Sequence, residues 1–165
     1  GRCVHAAGAA RAGVGQPQLM TLALLKLVHL LAIVLWVGGM AFAHFFLRPA
    51  VQALDPPLRL PLMQRVLQRF LDAAGIAVLA ALVTGVALMA LGVRGAHVNA
   101  MALLGLLMAA IYGHVRFALY PRLRRAVDAK DWPAGGAAMA QVRLWVGINL
   151  ALGVLVTAAV VLRLP

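Results

Sequence analysis

The sequence contains very few of the residue types on which most soluble enzymes depend. Of its 165 residues only four are acidic, all of them aspartate, and Cys3 is the single cysteine. One cysteine excludes an intramolecular disulfide and a thiolate metal cluster. The chain also lacks a Ser/His/Asp arrangement, a carboxylate pair, a P-loop and a dinucleotide-binding fingerprint. Hydrolytic and phosphoryl-transfer enzymes are therefore not expected.

Charge is scarce and one-sided. Charged residues make up 12% of the chain and hydrophobic residues 64%, whereas soluble domains are about a quarter charged. Fifteen Lys and Arg residues give a net charge of +11. Such an excess can indicate a nucleic-acid binder, but here long uncharged stretches separate the basic residues. The expected partner is the lipid bilayer, and nucleic acid is not expected to bind.

Four long windows contain no charged residue: 27–46, 73–93, 95–115 and 144–162. Each has about the twenty residues that a helix needs to cross a hydrocarbon core. In lipid such segments can satisfy their backbone only as helices. The sequence therefore predicts an all-α integral membrane protein, a four-transmembrane-helix up-down bundle in residues 20–165, after a disordered N-terminal tail in residues 1–19. Its helices are expected at about residues 22–47, 70–93, 96–118 and 141–163.

The basic residues predict the orientation of the bundle. Ten of the fifteen lie in the two long loops, between helices one and two and between helices three and four. The positive-inside rule places these loops in the cytoplasm and both termini in the periplasm of a bacterial inner membrane. In the second loop, Asp131 is expected to cap a helix that begins near Pro133.

Four histidines lie in the predicted spans. His29 and His44 are on helix one, and His97 and His114 are on helix three. These helices run parallel, so His29 and His97 share the periplasmic level, and His44 and His114 share the cytoplasmic level. At about 100° per residue, the rotations between them allow both pairs to converge but do not require it.

Two kinds of chemistry use such histidines. Two imidazoles can occupy the axial positions of a haem iron, whereas His together with Met suits copper, above all Cu(I). Met40 and Met101 are the candidate thioether ligands, and Met101 lies one turn from His97. Interhelical hydrogen bonding is the alternative role for the histidines.

Three further residues are candidates for contact with a cofactor. Trp36 shares a helical stripe with His29 and Met40 and lies too deep for the interfacial belt, so it packs internally or against a cofactor. Arg48 and Arg116 follow apolar spans at the cytoplasmic face. They either anchor the topology or bind an anionic group such as a haem propionate.

Short motifs in helices one and three resemble a known family. The run Lys26-Leu-Val-His29, followed by Trp36-Val-Gly-Gly39 and Leu47-Arg48-Pro49, resembles the first helix of the CopD copper-resistance family. It is also similar to the related HemJ-type protoporphyrinogen oxidases, which are haem-binding membrane proteins. In helix three, His97-Val98 and Tyr112-Gly-His114 fit the same wider group.

The resemblance implies a membrane scaffold that binds haem or a metal. The expected function is that of an inner-membrane haem b-binding protein, an oxidoreductase in electron transfer or porphyrin-linked oxidation with an electron-transfer partner. The alternative is a copper-binding CopD-like protein for copper transport or resistance.

Overall fold

The computed structural model describes residues 15–162, and this range is almost entirely helical. The α-helices are α1 (Gln16–Phe42), α2 (Arg48–Ala50), α3 (Pro56–Ala90), α4 (Ala96–His114), α5 (Tyr120–Asp128) and α6 (Trp132–Val161). Two π-helical segments, Ala43–Leu47 and Val115–Leu119, and a 3₁₀ turn, Val51–Ala53, join some of them. Most of the predicted disordered tail lies outside the described residues, and α1 begins at Gln16, before the expected boundary at residue 20.

Four helical segments are long and apolar enough to cross a membrane. They are Gln16–Ala53, Pro56–Ala90, Ala96–Asp128 and Trp132–Val161, and we call them the first to fourth spans. This confirms the predicted fold class, a multi-pass all-α protein built as a four-helix up-down bundle. We call the end with residues 91–95, where α1 begins and α6 ends, the terminal face. The opposite end, with residues 54–55 and 129–131, is the loop face.

The helices are longer than the apolar windows because charged turns extend them beyond the hydrocarbon layer. The second span begins at Pro56 rather than near residue 70 and runs through Pro61 without a break. Pro61 lies in the second turn, where its missing N–H removes one early hydrogen bond. The fourth span begins at Trp132, and the Asp131 carboxylate accepts a hydrogen bond from the Ala134 N–H at 3.0 Å, which confirms the predicted cap.

Each π-helical segment ends two residues before a proline. The N–H of Arg48, which precedes Pro49, donates to the Ala43 carbonyl five residues back. The N–H of Tyr120, which precedes Pro121, likewise donates to the Val115 carbonyl. A proline ring crowds the carbonyl four residues before it, and one wider turn relieves that clash while the helix continues. The first and third spans thus pass their prolines as single long helices.

Small side chains allow the first and second spans to pack closely. Ala32 on α1 and Ala74, Ala77 and Ala81 on α3 are all buried. Such small residues let helices approach in lipid. The third span packs mainly against the fourth. Many large apolar side chains point outward along all four spans, among them Leu31, Ile76, Leu103 and Val154. This surface fits a lipid environment.

Candidate metal-binding residues

The His29 side chain is held by Thr84 across the interface between α1 and α3. The Nδ1 atom of His29 lies 2.9 Å from the Thr84 Oγ1 atom. The same hydroxyl lies 2.6 Å from the Ala80 carbonyl oxygen, which can only accept. The single hydroxyl proton therefore goes to Ala80, and the hydroxyl accepts the Nδ1–H of His29. In this arrangement Nδ1 faces Thr84, and Nε2 is the ring nitrogen that can bind a metal when the imidazole is neutral.

His97 begins a stripe of possible metal ligands on α4. It lies in the first turn, is exposed, and folds back over Gly95, where an added Cβ would lie 2.7 Å from its Cε1 atom. Met101 and Met108 follow after four and eleven residues, so they share its helix face. Exposure falls along the stripe: Met101 is half-buried and Met108 is 3% exposed. The stripe leads from the terminal face into the bundle core.

A second stripe descends along the first span and reaches the same core. Trp36 is 3% exposed and Met40 2% exposed, and both belong to one buried cluster with Met108. The Trp36 ring meets the Tyr112 ring of the third span edge to face, with 6.5 Å between the ring centres. Gly153 of α6 leaves room for this convergence, because a Cβ there would lie 3.2 Å from the Met108 Cε atom. The His and Met stripes of the two spans therefore converge in one buried cluster.

The four histidines contact four different parts of the chain. His29 contacts Thr84, and His97 contacts Gly95. His44 faces Gly147 of α6, whereas the His114 ring packs edge-on against Trp145, 5.2 Å between ring centres. Positions two residues apart point about 200° apart on a helix, so His44 and His114 lie on different sides of α6. The two-histidine ligand pairs stay a prediction.

Within residues 15–162, no group of three or more His, Cys, Asp or Glu side chains could hold a metal ion. The candidate ligands that remain in the described part of the chain are single imidazoles and thioethers.

A cavity of about 180 Å³ lies at the loop face between the first, second and fourth spans. His44 and Arg48 line it, and two methionines from other helices, Met63 and Met139, do so as well. Arg59 and Arg143 complete its polar wall. Sequence reasoning had singled out His44 and Arg48 but not the other four. They come from separate segments, and no spacing along the chain indicates that they meet.

The two arginines proposed for an anionic group have different surroundings. The Arg116 Nη2 atom lies 2.8 Å from the Asp72 Oδ1 atom, and the guanidinium lies 5.6 Å from the centre of the Tyr120 ring. Arg116 therefore has a partner within the protein. The Arg48 Nε atom is buried and has no hydrogen-bond partner among residues 15–162. Arg48 is thus the better placed of the two to bind a separate anion.

Comparison with known proteins identifies a family. The family described as CopD, copper resistance protein D, matches residues 64–163, more than half of the chain. The match covers most of the second span and all of the third and fourth, and it begins after the first-span motifs on which much of the predicted resemblance stood. No curated protein and no solved structure matches the chain. The family supports the copper alternative rather than the expected haem b, and the relation to HemJ-type oxidases stays a prediction.

Proposed function

Because this chain belongs to the CopD copper-resistance family, we propose that it binds Cu(I) inside the membrane and carries it between the two faces of the bilayer. The observation that supports this proposal is that the His and Met stripes of the first and third spans both reach one buried cluster, which contains Met40 and Met108.

Ligand chemistry supports Cu(I) in particular. Thioether sulfur and neutral imidazole are the protein ligands that suit this soft cation. Both are uncharged, so they are far cheaper to place in a hydrocarbon layer than carboxylates. The apolar windows of the first and third spans contain such neutral ligands, and none of the four windows contains an acidic residue. A cation path through this bundle would therefore depend on His and Met.

The positions of the stripes give such a path about the required length. His97 and Met108 are eleven residues apart, which corresponds to about 16 Å of axial rise. Met108 and Val37 meet at Gly153, so they lie at one level, and His44 is seven residues further on, about 10 Å. The sum is close to the thickness of a hydrocarbon core, roughly 30 Å. The ligands thus extend from near one face to near the other.

The entrance of the path is proposed at the terminal face. His29 is oriented near this face by its bond to Thr84, which leaves Nε2 as the nitrogen available to a metal, and His97 is exposed at the start of α4. By the positive-inside rule this face is periplasmic in a bacterial inner membrane, and the arginine-rich loop face is cytoplasmic. Copper would enter from the periplasm and leave near His44.

Cu(I) affinity of the purified protein in mild detergent tests the proposal. The protein is loaded under anaerobic, reducing conditions in competition with a Cu(I) chelator. We expect the Met40→Leu/Met108→Leu variant to bind at least about tenfold more weakly, because leucine fills a similar volume but has no sulfur lone pair. Met20→Leu is the matched control, since Met20 is 66% exposed on α1 outside the stripes. Liposomes with the wild-type protein should accumulate Cu(I), and liposomes with the double variant should not.

Three results would contradict the proposal. The first is a wild-type protein that takes up no Cu(I). The second is a double variant with wild-type affinity. The third is a haem Soret band in the purified protein that disappears in His29→Ala, which would restore the haem b interpretation.

A further inference from the structure

The loop-face cavity has a feature that copper transport does not explain, the convergence of three arginines. We propose that this cavity binds the phosphate headgroup of an anionic phospholipid, with Arg48, Arg59 and Arg143 as its ligands. This inference does not depend on the copper path.

The three arginines come from separate parts of the chain. Arg48 follows the first π-helical segment, Arg59 lies in the first turn of α3, and Arg143 is on α6. No residue among those described that line the cavity is acidic. The ion pairs within residues 15–162 are Arg116–Asp72 and Arg124–Asp128, so these three have no carboxylate partner in that range. Three like charges facing one cavity are stabilised by an anion between them.

The chemistry of the cavity favours phosphate. Guanidinium groups bind phosphate oxygens through paired, charge-assisted hydrogen bonds. The buried Arg48 Nε–H lacks a hydrogen-bond acceptor among the described residues, and a bound phosphate would supply one. Gln52 also lines the cavity and offers an amide donor.

A groove beside the cavity favours a lipid over free phosphate. It has a volume of about 510 Å³ and shares His44, Arg48 and Arg143 with the cavity. Its remaining wall is small or apolar and consists of Ala140, Leu144, Gly147, Ile148 and Ala151. Ala140 and Ala151 are eleven residues apart on α6, about 16 Å along the fourth span. The arginines would bind the headgroup, and the groove would bind the part of an acyl chain next to the headgroup. Basic pockets between spans at the cytoplasmic side bind lipid headgroups in this way.

Native mass spectrometry of the full chain in detergent tests the headgroup. The probes are a short-chain phosphatidylglycerol, the matching phosphatidylcholine, and inorganic phosphate. We expect phosphatidylglycerol to bind at least about tenfold more tightly than the other two. Arg59→Gln and Arg143→Gln should each weaken the binding of phosphatidylglycerol about tenfold, which corresponds to the loss of one charge-assisted hydrogen bond. Arg124→Gln is the control, because Arg124 lies at the same face but pairs with Asp128 outside the cavity.

Gly147 tests the acyl-chain groove separately. A Cβ at this position would lie 3.9 Å from the nearest atom, His44 Cε1, so the groove is open beside it. Gly147→Leu should fill the groove and weaken phosphatidylglycerol binding without changing phosphate binding. Gly147→Ala should have a smaller effect in the same direction and serves if the leucine variant fails to insert.

Three results would overturn the inference. Equal binding of phosphatidylglycerol and phosphatidylcholine would exclude headgroup recognition. An Arg124→Gln effect as large as that of Arg143→Gln would indicate general attraction to a basic face. Phosphate binding as tight as lipid binding, with no effect of Gly147→Leu on either, would assign the cavity to a free anion.

Discussion

Alanine in place of Gly75 tests how the second and third spans fit together. A Cβ at this position would lie 2.5 Å from the Tyr112 hydroxyl oxygen. That hydroxyl donates a hydrogen bond to the Leu71 carbonyl at 2.9 Å, one turn before Gly75 on α3. The methyl group of alanine must therefore displace the phenol and break its bond. We expect Gly75→Ala to destabilise the bundle although alanine is the better helix former.

Three contributions set the size of this effect. Loss of the Tyr112 hydrogen bond costs about 1 kcal/mol. Crowding of a well-packed interface costs about 1–3 kcal/mol. The higher helix propensity of alanine offsets about 1 kcal/mol of this. The net decrease in the free energy of unfolding is about 1–3 kcal/mol. Gly105→Ala is the matched control: no atom lies within 4 Å of its added Cβ, so it should be neutral or stabilising.

Unfolding by sodium dodecyl sulfate in mixed micelles, followed by circular dichroism, measures these differences. Tyr112→Phe removes the oxygen that the new methyl group meets. The Gly75→Ala/Tyr112→Phe double variant should therefore lose less stability than the sum of the two single variants, with a coupling of about 1 kcal/mol. Strict additivity, or a Gly75→Ala variant as stable as Gly105→Ala, would refute this account of the interface.

Three other predictions concern the cap, the proposed copper ligand and the topology. Asp131→Ala should lower the free energy of unfolding by about 1 kcal/mol in the same assay, because the Asp131 side chain accepts a hydrogen bond from its helix. Asp55→Ala should lower it by a few tenths at most, because the Asp55 side chain makes no such bond. Equal losses in the two variants would contradict this. Thr84→Val should weaken Cu(I) binding about tenfold or more in the chelator competition, because the hydrogen bond that orients His29 is lost. An unchanged affinity would remove His29 from the ligand set. Reporter fusions after Arg125 should read cytoplasmic and fusions at the chain end periplasmic; the reverse pattern would contradict the proposed orientation.

The sequence predicted the fold well because span length and apolar composition are local properties. The helix ends were less predictable. Hydropathy marks the part of a helix that lies in lipid, so by itself it does not reach the turns from Pro56 to residue 69 or from Trp132 to residue 140. The helix start near Pro133 was predicted from capping chemistry instead. The Asp131 cap was predictable because both partners in its hydrogen bond lie within one helical turn.

The candidate site was only partly predictable because it depends on which helices face each other. The levels of His44 and His114 follow from the chain, but the side chains that each one contacts depend on how the helices pack. The first span packs mainly against the second and the third against the fourth. The contact of His29 with Thr84 and the entry of Arg143 into the cavity likewise depend on tertiary packing.

The first span packs mainly against the second and the third against the fourth, so the chain forms two helical hairpins. This arrangement has a consequence for the order of assembly during synthesis. A polar group that enters lipid without a partner is costly. The first two spans already pair His29 with Thr84, so this hairpin can enter the bilayer with that pair complete. The third span brings the Tyr112 hydroxyl and the Arg116 guanidinium, whose acceptors, the Leu71 carbonyl and the Asp72 carboxylate, lie on the second span. The N-terminal half is therefore a template on which the C-terminal half completes its polar contacts.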